Sequence, residues 1–509
     1  MRSRNQHLVR QLKKEGALRA RAEQRVAELE RELLQRRPTT TTASNSSLPP
    51  SANPIGARPP VVKRPTGRRP GGQIGHVGKT RTLLSEAQVD HVIEHRPQVC
   101  RDCQQAIAGD APGEVVGRHQ VAELPPVAVE ITEHRALSCR CAHCGGLSRG
   151  TIPSDVQASV TGPRLCAAIG LLGASMKGSK RAIAMVLQEV LGCPMFALGS
   201  VSARERELSD ALAGPYQMLV ASAAGSKVKY VDETGWKLRG KSRWLFVSAD
   251  QEQVIFHIDK ARTRLAFAAL YGDGGGGGGG GGGGNGGGRT SSKSSSVEPR
   301  PPRGVFCTDR AGIYDMLSIK HRQLCWAHLM RDFVAAIERG GAGEGAATRM
   351  LSVAHEMFEL WHRFKKKKEI TRTALRAGIA PLRQRLHDAL VDGAACGQGK
   401  TAGLCRALLK REAALWRFAA TPGLEPTNNL AERMLRGAVI WRKKSFGSAS
   451  QAGCRYVERM LSVTETLRLR GQAPLAYLAS AVAAYRKGEP TPQIEPKLKP
   501  METKLRNVA

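Results

Sequence analysis

The chain has 509 residues, a length that points to about three or four domains rather than one compact core. Lys and Arg total 78 against 44 Asp and Glu, a formal net charge of +34 with an isoelectric point near 10.3, so a polyanionic partner is the first expectation. Hydrophobic residues at 41% exclude a wholly disordered basic tail, and 5% aromatic content argues against a carbohydrate or aromatic-ligand specialist.

No run approaches the roughly 18 to 20 apolar residues of a spanning helix. The best, Leu165 to Met176, is shorter and interrupted by glycine, so a membrane protein is not expected. The N-terminus, MRSRNQHLVRQLKKEG, develops no apolar core of a signal peptide, and the expected location is cytoplasmic. Five of the twelve cysteines fall between Cys100 and Cys144. In a reducing compartment such clustering favours metal over disulfides.

Residues 1–37 predict a charged helix with Leu8, Leu12, Ala22, Val26, Leu29 and Leu33 near heptad spacing, either a short coiled coil or a solvated amphipathic helix. A Ser/Thr/Pro linker and a basic arm follow over 38–84. The arm carries Arg58, Lys63, Arg64, Arg68, Arg69, Lys79 and Arg81 with no acid between them. Such a segment cannot bury a core; it suits phosphate tracking or a minor groove, or else serves as a soluble linker.

Residues 85–155 contain two CxxC knuckles, Cys100 with Cys103 and Cys141 with Cys144, separated by about 37 residues with alternating Val, Ile and Leu. The spacing predicts a ribbon of strands closed by a structural Cys₄ zinc site, because each tight turn delivers two thiolates to one ion and leaves no open position. Chance clustering of thiols, or substitution of one ligand by Cys139 or His143, are the alternatives. Residues 156–224 read as helical, with two helices about a Gly192-Cys193-Pro194 break. That pattern suits a helix-turn-helix that reads DNA, or a helix pair that does not.

Three β-rich runs follow, Lys227 to Val231, Trp244 to Ser248 and Val254 to Ile258, with a helical stretch from Asp259. They predict a meander feeding a helix, within an α/β domain spanning 225–333 and 423–470. Gly274 to Gly284 is unbroken glycine, and 274–303 is expected to be an unfolded loop. Gly304 to Thr308 is a buried-strand pattern ending at Asp309, residues 334–422 form a helical insertion, and a helix beyond it bears Glu432. Residues 471–509 are assigned to a C-terminal tail. Asp232 and Asp309 stand at strand ends and Glu432 on a helix, a set of carboxylates that can converge on a pair of hard cations.

The segments VDETGWK, FCTDRAGIY, QLCWAHLMRDF and TNNLAERMLRGAVIWRKKSFGS resemble, in order, the blocks of the insertion sequence 66 family of DDE transposases. Upstream, NSSLPPSANP, RRPGGQIGHVGKTR and the paired knuckles match its N-terminal region, so the resemblance runs from about residue 40 to 485. It implies a multidomain α/β protein. The parts would be an RNase H-like catalytic domain with an α-helical insertion, preceded by a zinc ribbon and a helical DNA-binding region. It implies Asp232, Asp309 and Glu432 as the catalytic triad holding two Mg²⁺ per active site, with Zn²⁺ structural. The implied partner is DNA, both element ends and target, met by a homo-oligomer, with helper proteins of the same element as further partners. The setting would be a bacterial, nucleoid-associated one.

Cys325 and His328 match a Cys-x-x-His signature of several DDE superfamilies, which leaves packing, hydrogen bonding or metal contact open. Arg436, one turn after Glu432, is expected to share its helix face and to hold a phosphate, position the carboxylate or form a structural ion pair. Arg442, Lys443 and Lys444 extend the basic surface toward DNA. Trp236, Asn428 and Asn429 also match motif positions, which tight packing or helix capping explains equally well. The glycine-rich insertion departs from the family pattern, and a loop that closes on itself costs little more when lengthened. The alternative function is a non-catalytic DNA-binding protein descended from a decayed transposase.

Overall fold

The computed structural model describes residues 83–157, 159–193, 196–272, 303–365 and 369–496. The expected N-terminal helix, the basic arm with its seven cations, nearly all of the glycine-rich segment and the chain's last residues lie outside them. The described residues divide into two units, 83–133 with 185–196 and 134–184 with 197–496.

Over 83–133 of the first unit the chain is largely irregular. The ribbon expected between the knuckles is not formed by residues 107–133, which contain no strand although Val115, Val121, Leu124 and Ile131 are spread along them. All four of these side chains are exposed. An alternating pattern needs a partner strand to satisfy its backbone, and Pro125-Pro126 removes two donors from the middle of this one. Among the described residues the first knuckle is flanked by a single antiparallel bridge, Val99 with Ala106, and in the second unit β1 (Ser138–Arg140) pairs antiparallel with β2 (Leu147–Arg149) around Cys141 and Cys144.

The second unit is built on a five-stranded sheet. Its strands are β3 (Val228–Leu238), β4 (Lys241–Ala249), β5 (Val254–Asp259), β6 (Val305–Thr308) and β7 (Arg322–Leu324), in the order β5-β4-β3-β6-β7. The first three form the expected antiparallel meander, while β6 and β7 join in parallel. Helices α1 (Pro163–Met176), α2 (Lys180–Glu189), α3 (Leu198–Ala211) and α4 (Ala213–Gly225) precede the sheet. Helix α5 (Arg264–Ala269) follows β5, and α6 (Trp326–Glu338) follows β7. The helical insertion comprises α7 (Glu344–Lys365), α8 (Arg372–Ala395) and α9 (Gly399–Leu409). The chain returns through α10 (Asn429–Ser445), α11 (Gln451–Leu469) and α12 (Pro474–Lys487).

One assignment made from sequence changes here. The helices on either side of the 192–194 break do form, and α3 buries Val201, Leu208 and Ala211, the last two in the same core as the sheet. It packs on α1, α11 and α12 rather than forming a core of its own. The segment assigned to a C-terminal tail contains α12, whose Leu478, Ala481 and Val482 are fully buried. Its spacing of small and apolar residues is helical, and the missing signal was a partner surface, supplied by α1 at long range.

Both edges of the sheet are sealed by side chains. Along β5 the N–H groups of Val254, Phe256 and Ile258 donate to Thr466 Oγ1, Ser462 Oγ and Glu458 Oε1 of α11, at 3.0, 2.9 and 2.6 Å. Four residues of helix rise about 6.0 Å and two residues of strand about 6.6 Å, so every fourth helix side chain meets every second strand N–H. Helix α11 thereby replaces a strand on an edge that would otherwise be open to pairing. At the other edge Gln323 of β7 donates from Nε2 to the Leu415 carbonyl (3.0 Å) and accepts from Phe418 N–H (2.9 Å), lacing the insertion's return segment to the sheet.

The return from the glycine-rich segment is fixed as well. Val305 N–H donates to the Lys227 carbonyl at 2.8 Å, and the buried Lys229 ammonium donates to the carbonyls of Ser226 and Arg303. Burial brings that ammonium down to about 8. β6 therefore starts in register with β3 regardless of what lies between.

Replacing Ser462 with Ala removes the acceptor for Phe256 N–H in a fully buried place. The expected cost is about 1–3 kcal/mol, read as a lower denaturant midpoint at unchanged slope. A change within error would show that α11 does not seal the edge.

Candidate active site and metal ligands

Asp232 sits near the middle of the central strand β3, Asp309 directly after β6, and Glu432 in the first turn of α10. Because β6 pairs in parallel beside β3, the two aspartates leave the sheet on neighbouring strands. Helix α10 packs on β3 and β4 and is pinned at both ends. At its start the Asn428 side-chain Nδ2 donates to the Val231 carbonyl at 2.8 Å, immediately before Asp232. The capping role open to Asn428 is not what its side chain does, since it makes no cap bond to α10. At the other end Trp236 Nε1 donates to Ser448 Oγ (3.2 Å) and Ser448 N–H to the Lys237 carbonyl (2.8 Å). Gly447, at φ 101°, lies so close to that carbonyl that a Cβ would come within 2.2 Å of it.

Asp232 feels the other acids around it. Burial, followed by the charges of Glu233, Asp309 and Glu432, drives the Asp232 carboxyl well above the ordinary aspartate range. Asp309 Oδ1 accepts Ala311 N–H at 2.8 Å, and the backbone beyond it is held by the buried Arg322, which donates to the Asp309 carbonyl (2.9 Å) and to Thr308 Oγ1 (3.0 Å). Glu432 Oε1 is buried and has no hydrogen-bond partner. It faces His328 Nδ1 at 3.7 Å, while its other oxygen lies 4.0 Å from Arg331. Like charges crowded together with an unpartnered buried oxygen suit a divalent cation, which would offset the repulsion and take up the free lone pairs.

Three neighbours of the triad were not found from sequence. Glu233 is almost fully buried, accepts from Arg262 Nε at 2.7 Å and from the Tyr314 hydroxyl, and its carboxyl is raised by burial and by Asp309. Arg262 also reaches to 3.9 Å from Asp309 and lies over the Trp244 ring. Arg331, on α6, was the third. Strand alternation directs adjacent side chains to opposite faces, so VDET offers one acid to a site; the second is legible only once Arg262 and Tyr314 are known to meet it.

Cys325 precedes α6 and His328 lies in its first turn. Cys325 Sγ accepts Asn428 N–H at 3.2 Å, and burial pushes its thiol up to about 12. His328 Nδ1 is buried without a hydrogen-bond partner. Among the described residues Cys325, His328 and Glu432 offer ligand atoms within 4.8 Å of one another.

Each knuckle is a turn of the same form. Cys100 N–H donates to the Gln105 carbonyl and Cys141 N–H to that of Gly146, at 2.8 and 2.7 Å, with Gln104 (φ 58°) and Gly145 (φ 71°) in matching left-handed positions. The N–H groups of Cys103 and Asp102 lower the Cys100 thiol, and those of Cys144 and His143 lower Cys141, as ligand thiolates require. The first pair belongs to one unit and the second to the other.

The basic residues expected to meet DNA divide. Arg436, Lys443 and Lys444 are exposed along α10. Among the described residues no ion pair joins Arg436 to Glu432, whose oxygens are approached instead by His328 and Arg331 at 3.7 and 4.0 Å. Arg442 is half-buried and donates to Thr234 Oγ1 at 3.1 Å and to the Gly235 carbonyl, so its guanidinium is used by β3.

The profile of the Transposase IS66 family matches residues 196–456, half of the chain, and takes in all three carboxylates and the insertion. The chain belongs to this family. A relative, an uncharacterized protein named y4qI from Sinorhizobium fredii, is 30% identical over 181 residues, 34% of this chain and 32% of that protein. The insertion sequence 66 membership fixes a transposase-type protein with a mixed α/β domain. No helix among the described residues is long and apolar enough to cross a membrane.

An acid raised in the folded state stabilises below its unfolded value, near 3.9, and that contribution is lost as pH rises through the folded value. Metal-free protein is therefore expected to lose stability as pH rises above about 4, and Asp232→Asn to melt higher than wild type at pH 8 in chelator. Thermal melts at pH 5 and 8 decide; a variant no more stable than wild type at pH 8 contradicts the crowding of charge at Asp232.

Proposed function

We propose that the chain is a DNA transposase that cleaves at the ends of its element and joins them to target DNA, with Asp232, Asp309 and Glu432 as ligands of two Mg²⁺ ions. The observation that carries this reading is the placement of the three acids on adjoining elements, Asp232 on β3, Asp309 at the end of the parallel neighbour β6 and Glu432 in the first turn of α10, which packs on β3. The strand order, a three-stranded antiparallel meander extended in parallel by two further strands, supports an RNase H-like domain. The bound cations would activate the attacking oxygen and stabilise the leaving oxygen of an in-line phosphoryl displacement.

The protein's own residues do the remaining work. Asn428 and Ser448 fix α10 against β3 and so hold Glu432 in reach of Asp232. Arg322 holds the backbone that presents Asp309. Arg262 and Arg331 place positive charge beside the acids, where a phosphate of DNA would lie. In the first reaction water attacks the phosphodiester at the element end and the strand leaves as a 3′-hydroxyl. In the second that hydroxyl attacks a target phosphodiester and displaces the target's own 3′-oxygen, so the number of phosphodiester bonds is conserved.

The exposed cations Arg436, Lys443 and Lys444, with the basic arm over 58–81, would take the DNA backbone. Cys100, Cys103, Cys141 and Cys144 would hold one structural Zn²⁺. A homo-oligomer on DNA and helper proteins of the same element complete the proposed assembly.

Each of Asp232→Asn, Asp309→Asn and Glu432→Gln should lower Mg²⁺-dependent cleavage of DNA bearing the element ends by several orders of magnitude while DNA binding persists. The double change at 232 and 432 should be hardly worse than either single one, because ligands of one metal pair act as a unit. A wild-type rate at the uncatalysed background would favour the non-catalytic binder, and near-normal cleavage by Glu432→Gln would displace the third ligand. For zinc, purified wild type should hold one tightly bound equivalent that Cys141→Ser loses; zinc-free wild type under reducing conditions would remove that site.

A further inference from the structure

Beside the catalytic acids lies a group of atoms that the proposed Mg²⁺ chemistry leaves without a role. His328 Nδ1 and Glu432 Oε1 are both buried, both lack a hydrogen-bond partner, and face one another at 3.7 Å. Two unpartnered buried polar atoms at that separation are costly unless something lies between them. Cys325 Sγ completes the group, with all three atoms within 4.8 Å of one another. Around a tetrahedral ion with bonds of about 2.0–2.3 Å, ligand atoms stand about 3.3–3.8 Å apart, so the group needs only a small contraction to bind.

The ligand set selects the ion. One sulfur, one imidazole nitrogen and one carboxylate suit zinc or cobalt, whereas magnesium takes oxygen ligands. The charges also balance, since a thiolate and a carboxylate with a neutral imidazole neutralise a dication, the thiol proton going to solvent. The scaffold is rigid: Cys325 and His328 are one turn apart at the start of α6, and Asn428 N–H, at the start of α10, donates to the sulfur at 3.2 Å. The same N–H that orients the sulfur belongs to the residue whose side chain fixes α10 to Val231.

We propose that Cys325, His328 and Glu432 bind one thiophilic divalent cation of the zinc class, and that its occupation draws Glu432 away from Asp232 and Asp309. The second half rests on Glu432 being a catalytic ligand; the first does not. Zinc would then act as an inhibitor that competes with Mg²⁺ for one shared carboxylate, tying the transposase reaction to available zinc.

Cobalt(II) titration of the full chain tests the site, because thiolate ligation gives a sulfur-to-cobalt charge-transfer absorption. The four knuckle cysteines contribute their own, so the reading is the difference between wild type and Cys325→Ser at matched thermal stability. Wild type is expected to take one more equivalent with thiolate absorption than the variant. His328→Gln, which keeps the sulfur, should weaken that equivalent at least about tenfold, and serves alone if Cys325→Ser does not fold. Equal cobalt stoichiometry and absorption in wild type and the variants overturns the site.

The shared carboxylate is tested by cleavage in excess Mg²⁺ with added zinc, each protein being compared with its own zinc-free rate. Zinc should inhibit wild type, and the half-inhibiting concentration should rise at least about tenfold in His328→Gln. Cleavage indifferent to zinc, together with a normal cobalt titration, refutes the sharing of Glu432. A normal cobalt titration without cleavage under any metal leaves the site standing and fails the catalytic reading instead.

Discussion

The constraint on which the rest depends is the cost of bringing acids together. Asp232 is surrounded by Glu233, Asp309 and Glu432, and every one of them raises its carboxyl. No single element could impose that arrangement, because repulsion would let a free loop or a fraying helix swing away. The fold answers with separate restraints on each carrier. β3 and β6 are registered by ladder bonds, Arg322 holds the backbone after Asp309, and α10 is tied to β3 at both ends. Glu233, the fourth acid, is compensated by Arg262 and Tyr314 and adds its charge without needing a metal.

The same economy governs the sheet. Five strands leave two edges, β5 closed by side chains of distant α11 and β7 laced by its own Gln323 to the backbone of distant Leu415 and Phe418. Glu458, Ser462 and Thr466 match the spacing of β5 because four residues of helix and two of strand cover nearly the same length. Arg411, from the end of the insertion, pairs with Asp315, which also receives Arg322. The helical insertion is thus laced to the segment that follows Asp309, and a ninety-residue excursion ends close to where it began.

The two knuckles and the Cys325 group show different relations between motif and geometry. A CxxC turn is local: four or five residues fix the left-handed position and the N–H groups that favour thiolate, so the spacing alone carries it. Cys325 and His328 are equally close in sequence, yet their chemistry depends on Glu432, over a hundred residues away. The Cys-x-x-His spacing leaves packing and ligation equally open; the distances to Glu432 are what distinguish it from a buried pair.

Sequence by itself determined the meander, the strand ending at Asp309, the helical insertion, the helix bearing Glu432 and the family, because periodicity, turn residues and long motifs are local properties. It did not determine the partners of each face. The alternating residues between the knuckles read as strands and remain unpaired, since a ladder requires a second chain segment at hydrogen-bonding distance. Helix α12 read as tail because its buried stripe has meaning only against α1. Arg442 read as a DNA contact and is bound to β3, while Arg262 and Arg331 carried no signal and stand beside the acids. A guanidinium is long enough to serve either surface, and which one it serves is decided by tertiary packing.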